Sequence, residues 1–160
     1  MSPFVIAIVA WFHIFFAVLW IGSAVLFFAV LGPAVSALSP QTRAEFMARF
    51  LPRMERFLNF VVPLLLVSGA ALFVAMTWGD APVLDTWSLS VALGGSLGLA
   101  TYVFALMTLV PAGRRLSALI QGGGAQDELA SAQRSLGRSS MIELALMLLT
   151  LTAMVSAGFL

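Results

Sequence analysis

Four long apolar runs, Pro3 to Val30, Phe57 to Met76, Ser88 to Val110 and Met141 to Phe159, alternate along this chain with three polar segments. A hydrocarbon layer roughly 30 Å thick is crossed by about 20 residues of α-helix rising 1.5 Å each, and each run supplies that length. Helices are the required form, because backbone N–H and C=O groups in lipid must be satisfied within their own segment. The pattern predicts an all-α fold: a polytopic integral membrane four-helix bundle, one membrane domain over residues 1–160, with the lipid bilayer as its first partner. The first run is too long for the apolar core of a signal peptide, has no positive leading region and precedes further spans, so it is read as a membrane helix.

The polar segments set an expected orientation. The chain has no Lys, and all its arginines fall in two segments: Arg43, Arg49, Arg53 and Arg56 between the first two runs, and Arg114, Arg115, Arg134 and Arg138 between the last two. Short basic loops stay on the inner side of a membrane. Both Arg-rich loops are therefore expected in the cytoplasm, with both termini and the loop from Thr77 to Trp87 outside, as in a multi-pass protein of the cell (inner) membrane. Trp78 and Trp87 bracket that outer loop as interfacial anchors do. Within the first basic segment, Gly32-Pro33 is expected to end the first span and Ser39-Pro40 to start a new helix. Phe46, Phe50 and Leu51 then recur at helical spacing, which predicts a short amphipathic interfacial helix over about 41–51. In the second, Gly122-Gly123-Gly124 is a breaker before a short polar helix over about 127–137.

Composition sharpens the class more than the function. A hydrophobic share of 61% with 9% charged residues leaves almost no room for a soluble domain. A formal net charge of +1 gives no basic surface, so no nucleic-acid partner is expected. Without Cys, thiolate metal sites and disulfides are excluded.

The candidate chemistry begins at His13, the chain's one histidine, set within the first apolar run. An ionisable side chain there marks a functional site by default. Ala10, His13, Ala17, Trp20 and Ala24 share one helical face, and its small residues let neighbouring helices approach. That face should point into the bundle, while Phe4, Phe12, Phe15, Val18 and Val25 face lipid. A neutral imidazole near mid-membrane has two uses, as a ligand to a metal or heme iron or as a hydrogen bond across helices, and both stay open. In the fourth run, Glu143, Met147, Thr150 and Met154 form a comparable stripe. Met154 is the candidate second ligand, since His and Met form an axial pair on heme iron and also suit reduced copper; gap filling in the core is the other use of such methionines. Glu143 is expected to pair with Arg138 or Arg56. Gly94, Gly95, Ser96 and Gly98 predict close helix packing in the third run. Tyr102 needs a polar partner there, and Asn59 with Pro63 marks a locally freed carbonyl in the second.

The residues Trp11-Phe12-His13, then Leu19-Trp20-Ile21-Gly22, Phe27-Phe28 and a following proline, resemble the first helix of the HemJ family and of the related CopD copper-resistance domain. The segment Phe50-Leu51-Pro52-Arg53-Met54-Glu55-Arg56-Phe57, with Pro63 and Gly69 beyond it, resembles the Met-Glu-Arg segment opening HemJ's second helix. The resemblance covers roughly the first three spans. HemJ proteins are heme-binding protoporphyrinogen oxidases, so the resemblance implies heme b as cofactor with His13 as its axial ligand. Their lysine early in the third helix, around Ser88 to Val91 here, is absent from this chain, and the reading stops at a heme-binding or heme-handling protein with its enzymatic status open.

Three readings follow. In the first, His13 binds heme iron, Trp20 and Met154 adjoin the cofactor, and Arg53, Arg56, Arg114 and Arg115 pair with propionates, unless those arginines serve only topology. In the second, the chain is a CopD-like copper protein using His13 with Met147, Met154 or Met107. In the third, it is a non-catalytic membrane subunit or assembly factor. A homo-oligomer or larger membrane complex would complete a ligand set in either of the first two.

Overall fold

The computed structural model of the protein describes residues 2–77 and 86–159. Four long helices run α1 (Pro3–Ser36), α2 (Pro40–Thr77), α3 (Thr86–Gln121) and α4 (Gln126–Ser156), each long and apolar enough to cross a membrane. The chain is an all-α, multi-pass membrane four-helix bundle, and no strand occurs among the described residues. Trp78, Asp80 and Asp85 of the expected outer loop lie outside the described residues.

The helices are longer than the apolar runs within them, and this changes three expectations. Gly32-Pro33 does not end the first helix, which continues to Ser36. The stretch 41–51 is no separate interfacial helix but the opening of α2, which passes through both Pro52 and Pro63. The same holds for 127–137, the opening of α4. At 1.5 Å per residue α2 extends about 57 Å, nearly twice a hydrocarbon layer. Its charged half therefore projects beyond the lipid tails.

Two of the prolines, Pro33 and Pro111, are accommodated by widening the helix. A proline lacks the N–H for the carbonyl four residues back, and its ring crowds that carbonyl. Around Pro33 and Pro111 the preceding turns, Phe27–Leu31 and Ala105–Leu109, are π-helical, and each contains that carbonyl, Ala29 or Met107. A π-turn adds the room the ring needs. The connections are short. Arg43 caps the end of α1, donating to the carbonyls of Val35 (3.2 Å), Leu38 (3.3 Å) and Ser36. Ser39 opens α2, accepting from Thr42 N. Gly123, at φ 66°, reverses the chain after α3, while Gly124 N donates to Leu119 O at 2.8 Å. Because an L-side chain is disfavoured in that region, Gly123→Ala is expected to cost about 1 kcal/mol, read as a lower unfolding midpoint in detergent.

Two buried clusters stack along the bundle. α1 packs along α2 and α3 along α4; the pairs join along α2 and α3, and the α1/α4 seam is thin. The first cluster is Phe16, Trp20, Val61, Val62, Leu65 and Met147. The second, at the Arg-bearing end, is Val35, Met47, Leu116, Ala132 and Leu136, with Phe46 and Leu51 packed on it. The apolar stripe of 41–51 thus faces other helices rather than a lipid surface, and Phe50 stacks on Phe46 and Phe27.

Candidate functional site

His13 is held by α2. Its face of α1 points inward as the spacing predicts, with Trp20 buried and Phe4, Phe12, Phe15, Val18 and Val25 exposed. The imidazole Nδ1 lies 3.1 Å from the carbonyl oxygen of Leu65 and 3.4 Å from Ser68 Oγ. A carbonyl only accepts, so Nδ1 carries the proton and donates, and Nε2 keeps its lone pair. Among the described residues no hydrogen bond reaches Nε2. The ring seats on Gly69, where a Cβ would stand 2.7 Å from Cε1 and 3.1 Å from Nδ1. Only a residue without a side chain lets the imidazole approach this backbone.

The other candidate ligands lie elsewhere. Met154 packs on Gly94, where a Cβ would stand 2.9 Å from its Cγ and 3.0 Å from its Sδ. It belongs to the α3/α4 interface, whereas His13 belongs to α1/α2. Met147 is buried in the first cluster, and Met107 is exposed. The described residues hold no group of three or more His, Asp or Glu side chains able to bind a metal, and the methionines of the copper reading do not converge on the imidazole. Arg53 donates to Arg49 O at 2.7 Å and Arg56 to Pro52 O at 3.3 Å. Both are exposed and turned back on their own helix.

A cavity of about 370 Å³ opens between the two helix pairs toward the Arg-bearing end. All four helices line it, through residues that include Trp20, Phe27, Asn59, Tyr102, Glu143 and Met147. His13 does not line it. The ring stands two helical turns, about 10 Å, from Trp20 along α1. The expected pairing of Glu143 with Arg138 or Arg56 does not occur: the residue is nine-tenths buried, and its carboxyl makes no ion pair or hydrogen bond among the described residues. The ion pair seen among them is Arg114 with Glu55, at 2.5 Å, and both residues line the same cavity.

Periodicity identified the face carrying His13 and Trp20 but not the tether. Leu65 contributes only its backbone, so its side-chain identity carries no trace of that role. The available signal was the run of small residues Ser68-Gly69-Ala70-Ala71 inside an otherwise bulky span. Nor did Glu143, Asn59 and Tyr102 announce a shared cavity, since they come from three helices whose relative rotation the sequence leaves free. Comparison with protein-family models, curated proteins and solved structures yields no match to this chain.

Proposed function

We propose that this chain is an integral membrane heme protein of b type, HemJ-like in its first helix, in which His13 binds the iron through Nε2. The observation that carries the reading is the tether. Histidines that ligate metals commonly donate their other ring N–H to a carbonyl or carboxylate, which fixes the tautomer, orients the ring and raises ligand basicity. His13 Nδ1–H to Leu65 O meets that requirement, and it leaves the Nε2 lone pair for an iron.

His13 would hold the iron through Nε2, a neutral imidazole donor, and Met154, seated against Gly94, is not assigned as a ligand. Arg56, nine residues or about 13 Å along α2 from Leu65, and Arg53 beyond it keep N–H groups for propionate carboxylates at the Arg-bearing end. That end is assigned to the cytoplasm, since it holds all the arginines. Bound heme would supply a redox-active iron, while the chain's own part is to hold His13 in one tautomer at a fixed height.

The test is spectroscopic. Purified full-length protein titrated with hemin is expected to give a saturable Soret shift that His13→Ala loses and added imidazole restores. A wild-type protein with no saturable shift, or a His13→Ala protein that binds equally well, would refute the assignment.

A further inference from the structure

We propose that the cavity between the helix pairs is a binding site for an organic monocation with an apolar body, and that Glu143 is its counter-ion. The site is separate from the His13 seat and stands or falls without it.

The first observation is the carboxylate. A buried ionised group is retained only when paired or hydrogen-bonded, yet Glu143 has neither kind of partner among the described residues and is nine-tenths buried against the cavity. The second is the charge balance of the walls. Arg114, the cationic side chain lining the space, already pairs with Glu55 at 2.5 Å, so that pair is neutral in sum. Glu143 is left as the one acid of the lining with no cation beside it among the described residues, and the ligand that would complement its ionised form is a single positive charge.

The third observation is the rest of the lining. Trp20, Phe27, Phe50 and Tyr102 bring aromatic rings to the same space, and ring faces attract cations, above all organic ones that shed water easily. Most of the remaining wall is aliphatic, Leu58, Val62 and Met147 among it. A hydrated metal ion, which needs several oxygens converging on one point, is the poorer fit, because of the two carboxylates in the wall Glu55 is held by Arg114 and most of the remainder is apolar. An anion would meet Glu143. About 370 Å³ lies within the size of small-molecule pockets. An ammonium carrying aryl or alkyl groups satisfies the acid, the rings and the volume together.

The experiment compares two probes of nearly one shape on the purified full-length chain in detergent: benzyltrimethylammonium and its uncharged isostere neopentylbenzene. Binding is read by calorimetry and by quenching of tryptophan fluorescence, Trp20 being in the wall. The cation is expected to bind at least tenfold more tightly than the isostere. Glu143→Gln is expected to remove that preference, and Gly113→Leu to weaken both probes. Gly113 lines the cavity, and a Cβ there would stand 4.0 Å from Leu51 Cδ2, so the larger side chain fills the space with Glu143 intact. Equal affinity of the native chain for the two probes, or no binding of either, overturns the proposal even where Glu143→Gln fails to fold. A well-folded Glu143→Gln protein that keeps the preference overturns it as well.

Discussion

Gly69→Ala, a change that ordinarily strengthens a helix, is expected to weaken this protein and to release the imidazole of His13. Alanine in place of glycine within a helix gains about 0.8–1 kcal/mol from propensity. Here the added Cβ would stand 2.7 Å from His13 Cε1 and 3.1 Å from Nδ1, inside van der Waals contact. The ring is rigid and tied to Leu65 O, so it cannot give way without losing that hydrogen bond or parting α1 from α2. Overpacking of this kind costs about 1–3 kcal/mol, enough to outweigh the propensity gain.

Gly94→Ala makes the instructive contrast, because its Cβ would be nearly as close, 2.9 Å, to Met154 Cγ. That neighbour is a flexible thioether with no hydrogen bond to hold it, and near-neutral stability is expected. Unfolding midpoints in mixed micelles measure both variants, and the 15N shifts of His13 report its tautomer. A Gly69→Ala protein of native stability with unchanged imidazole shifts would show that the seat is looser than its geometry. Release of the ring should also weaken hemin binding if His13 is the ligand, since loss of an orienting partner typically costs 10- to 100-fold in metal affinity.

Leu116→Ala should cost about 2–5 kcal/mol, the range for removing a fully buried leucine from a packed core. Leu116 is wholly inaccessible and belongs to the second cluster with Val35, Met47, Ala132 and Leu136. The buried residues of this cluster all fall outside the four apolar runs, where the helices continue past the length a hydrocarbon layer needs, so the hydrophobic effect is expected to act on it in full. Within lipid the tails are as apolar as leucine, and packing alone is at stake. Val61→Ala, equally buried in the first cluster, is accordingly expected to cost less per methyl group removed.

Trypsin offers a direct readout, because every basic residue of the chain lies at or near this end. Opening of the second cluster frees the helical backbone at Arg43, Arg49 and Arg134 for the protease, and the cleavage rate follows the population of the open form. Leu116→Ala should raise that rate at least tenfold while leaving the lipid-spanning helices assembled. Unchanged cleavage would mean that the projecting arms do not fold as a unit.

The span count was legible because the bilayer imposes one length and one form of secondary structure on any crossing segment. The inward face of α1 was legible for a similar reason: Ala10, His13, Ala17, Trp20 and Ala24 repeat at the helical period, and only that face can pack against helices. The ends of the helices were not. Gly32-Pro33 and Gly122-Gly123 look alike as breakers, yet a π-turn carries the first helix past its proline, while Gly123 at positive φ reverses the chain. Phe46, Phe50 and Leu51 gave the right amphipathic stripe and the wrong partner. An apolar stripe specifies burial without saying whether lipid or a neighbouring helix provides it.

By itself, then, the sequence determined a membrane bundle of four crossings, the gathering of all arginine charge at one end, and an imidazole facing inward from the first helix. These follow from local periodicity and composition, which each segment carries on its own. The tertiary structure alone decided that His13 is tied through Nδ1 to a backbone carbonyl, that Met154 packs in a different interface, and that Glu143 stands beside a cavity without a partner among the described residues. Each of those depends on how far helices distant in sequence are rotated and slid against one another, a quantity no single segment encodes.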